Sequence, residues 1–252
     1  MSFLWLTILS ALRILRRNPL RAGLTMLGII IGIGAVVAMV SLGQGATASV
    51  QAEIASLGTN VLIIVPGATT VGGVRGGLGT ISTLTVDDAE DIRTKVGSVT
   101  TIMYATRSVL QVIRENKNWS TIVLGTTPEF TDIRSWPIAQ GNFFTQSDMD
   151  SAAKIVVLGK TAAQNLFEPG EEVVGAQIRI RNTPLRVIGI LAPKGQSITG
   201  QDQDDFVVLP FSTAERKVMG TKFLGTVGII LVATQTRYEI PAVVADIKEL
   251  LR

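Results

Sequence analysis

The sequence predicts a membrane-anchored α+β protein: one N-terminal transmembrane helix with a stalk, then a two-lobed extracytoplasmic domain made of an α+β lobe and a mostly-β lobe. The first observation is an uncharged run from Ala22 to Gln51. About 20 apolar residues suffice to cross a hydrocarbon layer of roughly 30 Å. The second is a group of arginines before that run, whereas the first charge after it is Glu53. The third is a succession of short strand and helix patterns over the remaining chain.

The composition limits the classes of function. The chain has 252 residues, a formal net charge of +3, no cysteine and no histidine. These counts exclude a disulfide framework, a thiolate metal site, a histidine-dependent triad and histidine-ligated zinc. The basic excess lies at the N-terminus rather than across a folded face, which argues against a nucleic-acid partner. We therefore expect no catalytic, cofactor-binding or metal-binding residues, and a protein that is not an enzyme.

Residues 1–18 predict an amphipathic helix on the cytoplasmic membrane surface. Its apolar side chains recur near helical spacing: Phe3, Leu4, Trp5, Ile8, Leu12 and Leu15. The residues expected to set the orientation are Arg13, Arg16, Arg17 and Arg21. By the positive-inside rule the N-terminus is cytoplasmic and the main domain lies outside the plasma (inner) membrane. A cleaved signal peptide is the alternative, with Ala46-Thr47-Ala48 as its site, but the apolar run is longer than a signal-peptide core of about 7–15 residues.

Residues 20–42 predict the transmembrane helix itself. Its small residues form a GxxxG pair and a continuation of the same spacing: Gly28, Gly32, Gly34 and Ala38. Small residues let helix backbones approach closely in lipid, so we expect these four to pack against another helix. The alternative is that glycine is simply common in membrane helices.

Residues 43–58 predict a stalk helix that ends at Gly58, a typical C-terminal cap. Asn60–Val65 then predicts a buried strand, closed by Pro66-Gly67. The stretch Gly67–Ser82 is rich in glycine and threonine. Its spacing fits neither of the glycine-rich phosphate motifs, so a flexible loop is the expectation.

The α+β lobe is expected to consist of residues 59–134 and 224–252. A helix is predicted over Thr85–Lys95, with Thr85 as its N-cap. Its acids, Asp87, Asp88, Glu90 and Asp91, are explained by the helix dipole rather than by a metal site. Strands are predicted at Val99–Ile113, Ser120–Gly125 and Gly225–Ala233, with a polar turn at Glu115–Asn118 between the first two. An amphipathic helix follows over Ala242–Arg252, with Pro241 where it begins.

The mostly-β lobe is expected at residues 135–223. It starts with a strand at Ile155, a turn and a helix with Thr161 as its N-cap; Gly159-Lys160-Thr161 lacks the first glycine of a nucleotide-binding loop. Val173–Ile190 predicts a hairpin turning at Asn182-Thr183. Its solvent-facing arginines are Arg179, Arg181 and Arg186. The acids Asp202, Asp204 and Asp205 predict a solvated loop before a strand at Phe206–Leu209, since the EF-hand glycine and distal glutamate are missing.

Several stretches resemble one known family. The segment NPLRAGLTMLGIIIGIGAVVAMVSLGQG, followed by LGTNVLIIVPG, resembles the first span and stalk of MacB-type ABC transporter permeases. Later stretches fit the same family: LTVDDAEDI, GNFFTQSDMDSAAKIVVLGKTAAQNLF, VVGAQIRIRNTPLRVIGIL and DDFVVLPFSTA. The resemblance covers nearly the whole chain.

This resemblance implies a permease subunit that relays the ATP-driven motion of an ATPase to an extracytoplasmic domain, for efflux or extrusion of a substrate. Only about 20 residues precede the span, so the resemblance implies a separate cytoplasmic ATPase subunit that binds the ATP. The other implied partners are a second permease in a homodimer or pair, an extracytoplasmic adaptor protein and membrane lipid. Permeases of this type have three further spans, so a chain that stops at Leu251-Arg252, in mid-helix, resembles a truncated one.

Two further functions stay open on the sequence alone. A lipoprotein-releasing type of permease uses similar mechanics on a different cargo. A single-span extracytoplasmic binding or scaffold protein would have the same topology with no transport. A membrane-tethered hydrolase is disfavoured, because the chain has no histidine and no GxSxG motif.

Overall fold

The computed structural model describes residue 5 and residues 18–56, 60–67, 70–71, 74–75, 84–197, 200–220 and 224–251. The chain divides into two compact units, residues 1–52 and residues 53–252, and each is described by itself. The predicted amphipathic helix over residues 1–18 lies outside the described residues, apart from Trp5 and Asn18.

The long apolar segment forms one helix, α1 (Pro19–Ser56), of 38 residues. It begins at Pro19, whose fixed φ angle suits the first position of a helix. Its apolar stretch, Pro19–Gly45, is long enough to cross a membrane and is not covered by any other part of the described chain. The predicted span over 20–42 is therefore helical, and the predicted stalk is helical as far as Ser56. The predicted cap at Gly58 lies outside the described residues.

The outer unit contains strands and short helices in alternation. Its strands are β1 (Val61–Ile64), β2 (Thr70–Val71), β3 (Val74–Arg75), β4 (Leu84–Thr85), β5 (Val99–Arg114), β6 (Lys117–Thr126), β7 (Ile138–Gly141), β8 (Ile155–Leu158), β9 (Gln177–Ile180), β10 (Thr183–Leu191), β11 (Phe206–Pro210), β12 (Thr226–Val227) and β13 (Ile229–Thr234). Its α-helices are α2 (Val86–Lys95), α3 (Phe130–Ile133), α4 (Gln146–Asp150), α5 (Lys160–Leu166), α6 (Phe211–Thr213) and α7 (Ile240–Leu250). A π-helical segment, Ala214–Met219, continues α6, and a 3₁₀ turn, Arg237–Glu239, precedes α7.

Six of these strands close into a barrel. Around the ring, β5 pairs with β6 and β6 with β11, β11 pairs with β8 and β8 with β10, and β10 pairs with β9, which returns to β5. A closed ring leaves no free sheet edge among its members. The interior is filled by alternate side chains of every strand, for example Ile178 and Ile180 of β9, and by apolar residues of α5 and of the π-helical segment.

A smaller sheet lies beside the barrel and shares β5 with it. Its strand order is β1-β13-β5, all antiparallel. Helices α2 and α7 contribute Ile92, Val243 and Ile247 to the cluster on one face. The cluster on the other face contains Met103 and Leu231 with the aromatic residues Phe130, Trp136 and Phe206. Because β5 is 16 residues long, its first half belongs to this sheet and its second half to the barrel wall.

The predicted helix start at Thr85 is confirmed. The Thr85 hydroxyl accepts a hydrogen bond from the Asp88 N–H at 3.1 Å, and the Asp88 carboxylate accepts one from the Thr85 N–H at 2.8 Å. This reciprocal arrangement is a capping box, which satisfies backbone donors that the first helical turn leaves free. The predicted strand at Phe206–Leu209 is also confirmed, as the fully buried β11.

Three predictions about local structure are wrong. The strand β1 is not buried, because it lies at the edge of the sheet and, among the described strands, pairs only with β13; Ile63 is 53% exposed. Thr161 is not an N-cap, because helix α5 already begins at Lys160 and Gly159 precedes it. The turn between β5 and β6 is shorter than Glu115–Asn118, because Glu115 adopts a φ of 50° and lets both strands extend.

Other boundaries differ by a few residues. The predicted strand Gly225–Ala233 is two strands, β12 and β13, separated at Gly228. The hairpin predicted from Val173 starts only at Gln177 and turns at Arg181, whose φ is 53°. Helix α7 ends at Leu250, where the Leu251 N–H donates to the Ile247 carbonyl, and Arg252, the last residue of the predicted helix, lies outside the described residues. The predicted lobe boundaries, 59–134 with 224–252 and 135–223, stay a prediction.

Candidate functional site

The predicted packing residues lie on the uncovered surface of α1. Gly28, Gly32, Gly34 and Ala38 are all exposed, and a Cβ added at any of the three glycines would meet no atom within 4 Å. At about 100° per residue, Gly28 and Gly32 share one face, whereas Gly34 and Ala38 lie on another roughly 120° around the helix. The four residues therefore form two small-residue faces rather than one stripe, and their packing role stays a prediction.

The predicted orientation residues are only partly described. Arg21 lies in the first turn of α1, where its carbonyl accepts a hydrogen bond from the Thr25 hydroxyl at 2.9 Å. Arg13, Arg16 and Arg17 lie outside the described residues. The orientation of the helix in the membrane thus stays a prediction.

The acids of α2 are engaged by their own helix. Asp88 belongs to the capping box, and Asp91 pairs with Lys95 at 2.8 Å while Glu90 lies 3.8 Å from Arg93. Within the part of the chain that the structure describes, no group of three or more Asp or Glu residues is placed to hold a metal ion.

The loop acids Asp204 and Asp205 do not form the solvated loop that the sequence predicts. Asp204 is 5% exposed and accepts hydrogen bonds from the Lys194 N–H at 2.8 Å and the Gly195 N–H at 3.0 Å. Asp205 accepts hydrogen bonds from the Trp119 Nε1–H at 2.7 Å and, at 2.8 Å, from the Thr121 hydroxyl. Asp204 therefore joins the two ends of the loop, and Asp205 fixes the loop to strand β6 of the barrel. Asp202 is exposed, and its carboxylate accepts a hydrogen bond from the Asp204 N–H at 2.8 Å.

Close packing requires a glycine at position 159, directly before helix α5. A Cβ at Gly159 would come within 2.2 Å of the Asp204 carbonyl oxygen, and the Gly159 N–H donates to the Phe206 carbonyl at 2.9 Å. The backbone of β11 therefore occupies the space that a phosphate would need beside this N–H. The predicted Gly67–Ser82 loop lies mostly outside the described residues, except for Gly67 and the short hairpin β2–β3.

One motif was missed by sequence reasoning. Ser151 and Lys154 stand at the SxxK spacing that some serine hydrolases use for their nucleophile and its base. In the structure the Ser151 hydroxyl donates to the Ser147 carbonyl at 2.8 Å, and both Ser151 and Lys154 are exposed. The serine is therefore engaged by its own helix, α4.

A cation–aromatic contact was also missed. The Lys194 ammonium lies 4.4 Å from the centre of the Trp136 ring and donates to the Arg134 carbonyl at 2.8 Å. Desolvation by burial, together with the nearby Arg134 charge, lowers the pKa of Lys194. An open cleft lies against Trp136, lined by Thr131, Asp132, Ser135, Pro137, Ile138 and Phe143. No sequence motif marks this contact, because its residues come from two distant segments.

The segment Phe211–Met219, here called the junction segment, connects the two hydrophobic clusters of the outer unit. Phe211 packs edge-on against Tyr104 in the sheet cluster, with ring centres 5.0 Å apart, whereas Ala214 and Val218 pack inside the barrel. Burial is the main cause that raises the pKa of Tyr104 to about 12. A side chain at Gly125 of β6 would overlap Ala214, so only glycine allows this approach.

Hydrogen bonds hold both ends of the junction segment. The buried Glu215 carboxylate accepts a hydrogen bond from the Gly225 N–H. The Thr213 hydroxyl donates to the Ala153 carbonyl at 2.8 Å, and the Arg181 guanidinium donates to the Met219 carbonyl at 2.8 Å. π-Helical turns are rare and often occur at functional sites. The junction segment therefore has a structural role, because it connects the barrel to the sheet.

Comparison with known proteins gives a match over most of the chain. Residues 22–250 match the family model of the MacB-like periplasmic core domain. The macrolide export ATP-binding/permease protein MacB of Syntrophobacter fumaroxidans is 42% identical over 213 residues, which are 84% of this chain and 30% of that protein. The protein of the same name from Rhodospirillum rubrum is 40% identical over 214 residues, 85% of this chain and 32% of that protein. The chain thus spans about a third of the length of these curated relatives.

Two solved structures share the fold. The periplasmic region of MacB from Actinobacillus actinomycetemcomitans superposes with a TM-score of 0.65 at 24% identity, covering 79% of this chain and 85% of that one. The extracellular domain of the noncanonic ABC-type transporter YknZ from Gram-positive bacteria gives a TM-score of 0.62 at 16% identity, over 76% of this chain and 92% of that one.

Proposed function

This chain belongs to the MacB-like periplasmic core domain family, and we propose that it is the permease component of an ABC transporter that relays ATPase motion to an extracytoplasmic domain. Family membership makes it a membrane protein with one N-terminal apolar helix followed by an α+β extracytoplasmic domain. The relay itself, the direction of the helix and the extrusion of a substrate are the proposed steps.

The observation that supports a relay is the unbroken helix α1. Its 38 residues correspond to about 57 Å at 1.5 Å per residue, whereas roughly 20 residues would cross the bilayer. A static anchor does not require the additional turns. A continuous rod of hydrogen-bonded turns, in contrast, transmits a displacement along its axis with little bending.

The proposal includes partners that this chain does not contain. The relatives are named as ATP-binding/permease proteins, which supports a link to an ATPase. We propose that this ATPase is a separate cytoplasmic subunit that binds the ATP, with no cofactor in this chain. We further propose a homodimer or paired permease, an extracytoplasmic adaptor and a cytoplasmic N-terminus set by the arginines at 13, 16, 17 and 21.

A helix-breaking substitution tests the relay. Thr47→Pro removes a backbone donor within α1 and clashes with the preceding turn, so it kinks the helix just beyond the apolar stretch. We expect the co-purified ATPase to keep hydrolysing ATP while export of substrate is lost. Thr47→Ala is the control and should keep both activities. Export that survives Thr47→Pro would exclude an axial relay through this helix.

The absence of cysteine gives a clean test of orientation. Single cysteines at Ser2 and at the exposed Glu115 can be labelled in intact cells with a membrane-impermeant maleimide. We expect labelling at position 115 and none at position 2 until the membrane is permeabilised. The reverse pattern would contradict the proposed direction of α1.

A further inference from the structure

Six basic residues that are far apart in the sequence lie together on the outside of the barrel. We call this surface the basic face: it consists of Lys154, Arg179, Arg181, Arg186, Arg216 and Lys217, all of them exposed. The sequence predicts solvent exposure for the three hairpin arginines, but not that the other three join them.

The strand register brings the hairpin arginines together. Arg179 of β9 stands opposite Pro184 of β10, and Arg186 of β10 stands opposite Gln177 of β9. Arg179 and Arg186 are therefore diagonal neighbours on the outward face of the hairpin, about 7–8 Å apart at their Cα atoms. The Arg186 N–H donates to the Lys154 carbonyl at 2.9 Å, which adds Lys154 to the same surface.

Hydrogen bonds link Arg181 and Lys217 to the surroundings of the hairpin, and Arg216 directly precedes Lys217 in the chain. The Thr183 hydroxyl donates to the Lys217 carbonyl at 2.6 Å, and the Lys217 ammonium reaches the Ala152 carbonyl, two residues before Lys154. The Arg181 guanidinium is held by the Val218 and Met219 carbonyls. These bonds reduce the freedom of the side chains, so less conformational entropy remains to be lost on binding.

The charge on this surface is not balanced by nearby acids. The ion pairs of the described residues are made by other cations, namely Arg93, Lys95, Arg114 and Lys117. None of the six residues of the basic face lies within ion-pair distance of a carboxylate in the described part of the chain. Clustered positive charge without internal partners attracts a complementary negative surface.

We propose that the basic face is the docking surface for a carboxylate-rich surface of a different protein. Four of its six cations are arginines, which bind carboxylates in a planar, two-pronged geometry and are enriched at protein interfaces. Arg179 and Arg186 lie on the exposed side of the hairpin β9–β10 rather than in an enclosed cavity, which suits a macromolecular partner better than a small ligand. The observation stands independently of the proposed relay.

A second copy of this chain fits the basic face less well. In the outer unit, Glu90, Asp91, Glu168 and Glu171 already pair with cations of the same chain. The carboxylates of Asp88 and Asp148 are used in capping boxes. Because these six carboxylates are already engaged within their own chain, charge complementarity favours a different protein.

Binding to a defined polyanion tests the proposal. The full chain, purified in a neutral detergent, would be titrated with fluorescently labelled poly-L-glutamate at low ionic strength, with poly-L-glutamine as the uncharged probe. The double variant Arg179→Gln/Arg186→Gln should lose about tenfold in affinity, since two charge-assisted contacts disappear. The matched control Arg107→Gln/Lys160→Gln removes the same charge from exposed positions outside the basic face and should lose less than about twofold.

Two other outcomes would overturn the proposal. An equal loss in both double variants would mean that net charge, and not this surface, binds the probe. No binding of poly-L-glutamate, with binding to phosphatidylglycerol vesicles instead, would identify a membrane-facing surface. If Arg179→Gln/Arg186→Gln does not fold, Lys154→Gln/Arg216→Gln removes two charges from the same face and must show the same loss. Tryptophan fluorescence of each variant reports whether the outer unit is folded.

Discussion

Glycines of α1 and the close-packed glycines of the outer unit have opposite surroundings. In α1, a Cβ at Gly28, Gly32 or Gly34 would meet nothing within 4 Å. In the outer unit, a Cβ at Gly125 or Gly159 would come within 2.2 Å of another atom of the same chain. At these two positions the packing of the outer unit explains the glycine, whereas the chain alone gives α1 no reason for so many.

This difference indicates where each unit finds its partners. A close-packed interior fixes the residue at each position, because even one added carbon atom requires neighbours to move. An uncovered apolar helix has to be covered by lipid or by other helices, and glycine allows a helix to approach closely. Substitutions at the close-packed glycines should therefore destabilise the outer unit, whereas substitutions at the glycines of α1 should leave its folding unchanged.

The largest expected effect is at the edge of the barrel. Gly141 of β7 has a φ of +74°, and a Cβ there would lie 2.2 Å from the Ile188 carbonyl oxygen. Gly141→Ala should lower the free energy of unfolding by about 3–4 kcal/mol, because the overlap adds to the backbone strain. The measurement is urea unfolding of the full chain in detergent, followed by tryptophan fluorescence.

Gly170 provides the matched control for Gly141. It also has a positive φ, +88°, but a Cβ there meets nothing within 4 Å. Gly170→Ala should cost about 1 kcal/mol, which measures the backbone strain alone. Equal losses at the two positions would show that β7 moves away from β10 to accept the methyl group, and that this edge is not close-packed.

The second largest effect is expected in the junction segment. The buried Glu215 accepts a hydrogen bond from the Gly225 N–H, so Glu215→Ala leaves this partly buried donor without its partner. The expected loss is about 2 kcal/mol, and Glu215→Gln should recover part of it because the amide oxygen still accepts. If Ala and Gln behave alike in the same unfolding measurement, the contact contributes nothing to fastening the segment.

Local signals in the sequence predicted much of the fold. The capping residue Thr85, the apolar strand at Phe206 and the uncharged span were all recognisable, because each depends on residues close together in the chain. The closure of the barrel was not, since it depends on β9 pairing with β5, some 65 residues earlier. The burial of the edge strand β1 was predicted wrongly for the same reason. The sequence of an apolar strand does not show whether one neighbouring strand covers it or two.

Candidate functional sites were predicted less well than helices and strands. The acids Asp204 and Asp205 look like a solvated loop in the sequence, and only the fold brings Trp119 and the Lys194 backbone to them. The basic face and the junction segment have no local motif at all, because their contacts join residues from different elements. The limits that composition sets on the chemistry do not depend on the fold, since they rest on counts of histidine and cysteine.

A smaller effect is expected from pH. The Arg114 guanidinium donates to both Glu171 carboxylate oxygens and lowers the pKa of that carboxyl. At pH values above 4.5, the usual pKa of glutamate, this contact stabilises the folded state fully. The stabilisation is lost as the pH falls below 4.5 and through the depressed pKa of Glu171. Urea unfolding of the full chain at a series of pH values should show this acid-side loss.

Glu171→Gln should remove that part of the pH dependence. Glu168→Gln is the matched control, because Glu168 pairs with Lys117 while remaining largely exposed, and it should leave the acid-side loss in place. An unchanged profile in Glu171→Gln would assign the loss to other carboxylates.

The smallest effect on folding is expected in α1. Gly28→Leu/Gly32→Leu should change the unfolding of the outer unit by less than about 0.5 kcal/mol, because both positions are uncovered. The same variant should weaken association with a second permease or with other spans by several-fold up to about tenfold, since bulky side chains separate the helix backbones. Crosslinking in native membranes measures that association.

The matched variant Gly34→Leu/Ala38→Leu places the same bulk on the other small-residue face, roughly 120° away. A loss with only one of the two pairs would identify the face of α1 that meets a neighbouring helix. Full association in both variants would mean that lipid covers α1 on both faces, and the predicted packing role of its glycines would be wrong. A loss of folding in the outer unit would contradict the comparison between the two units, since it would show that they depend on each other for stability.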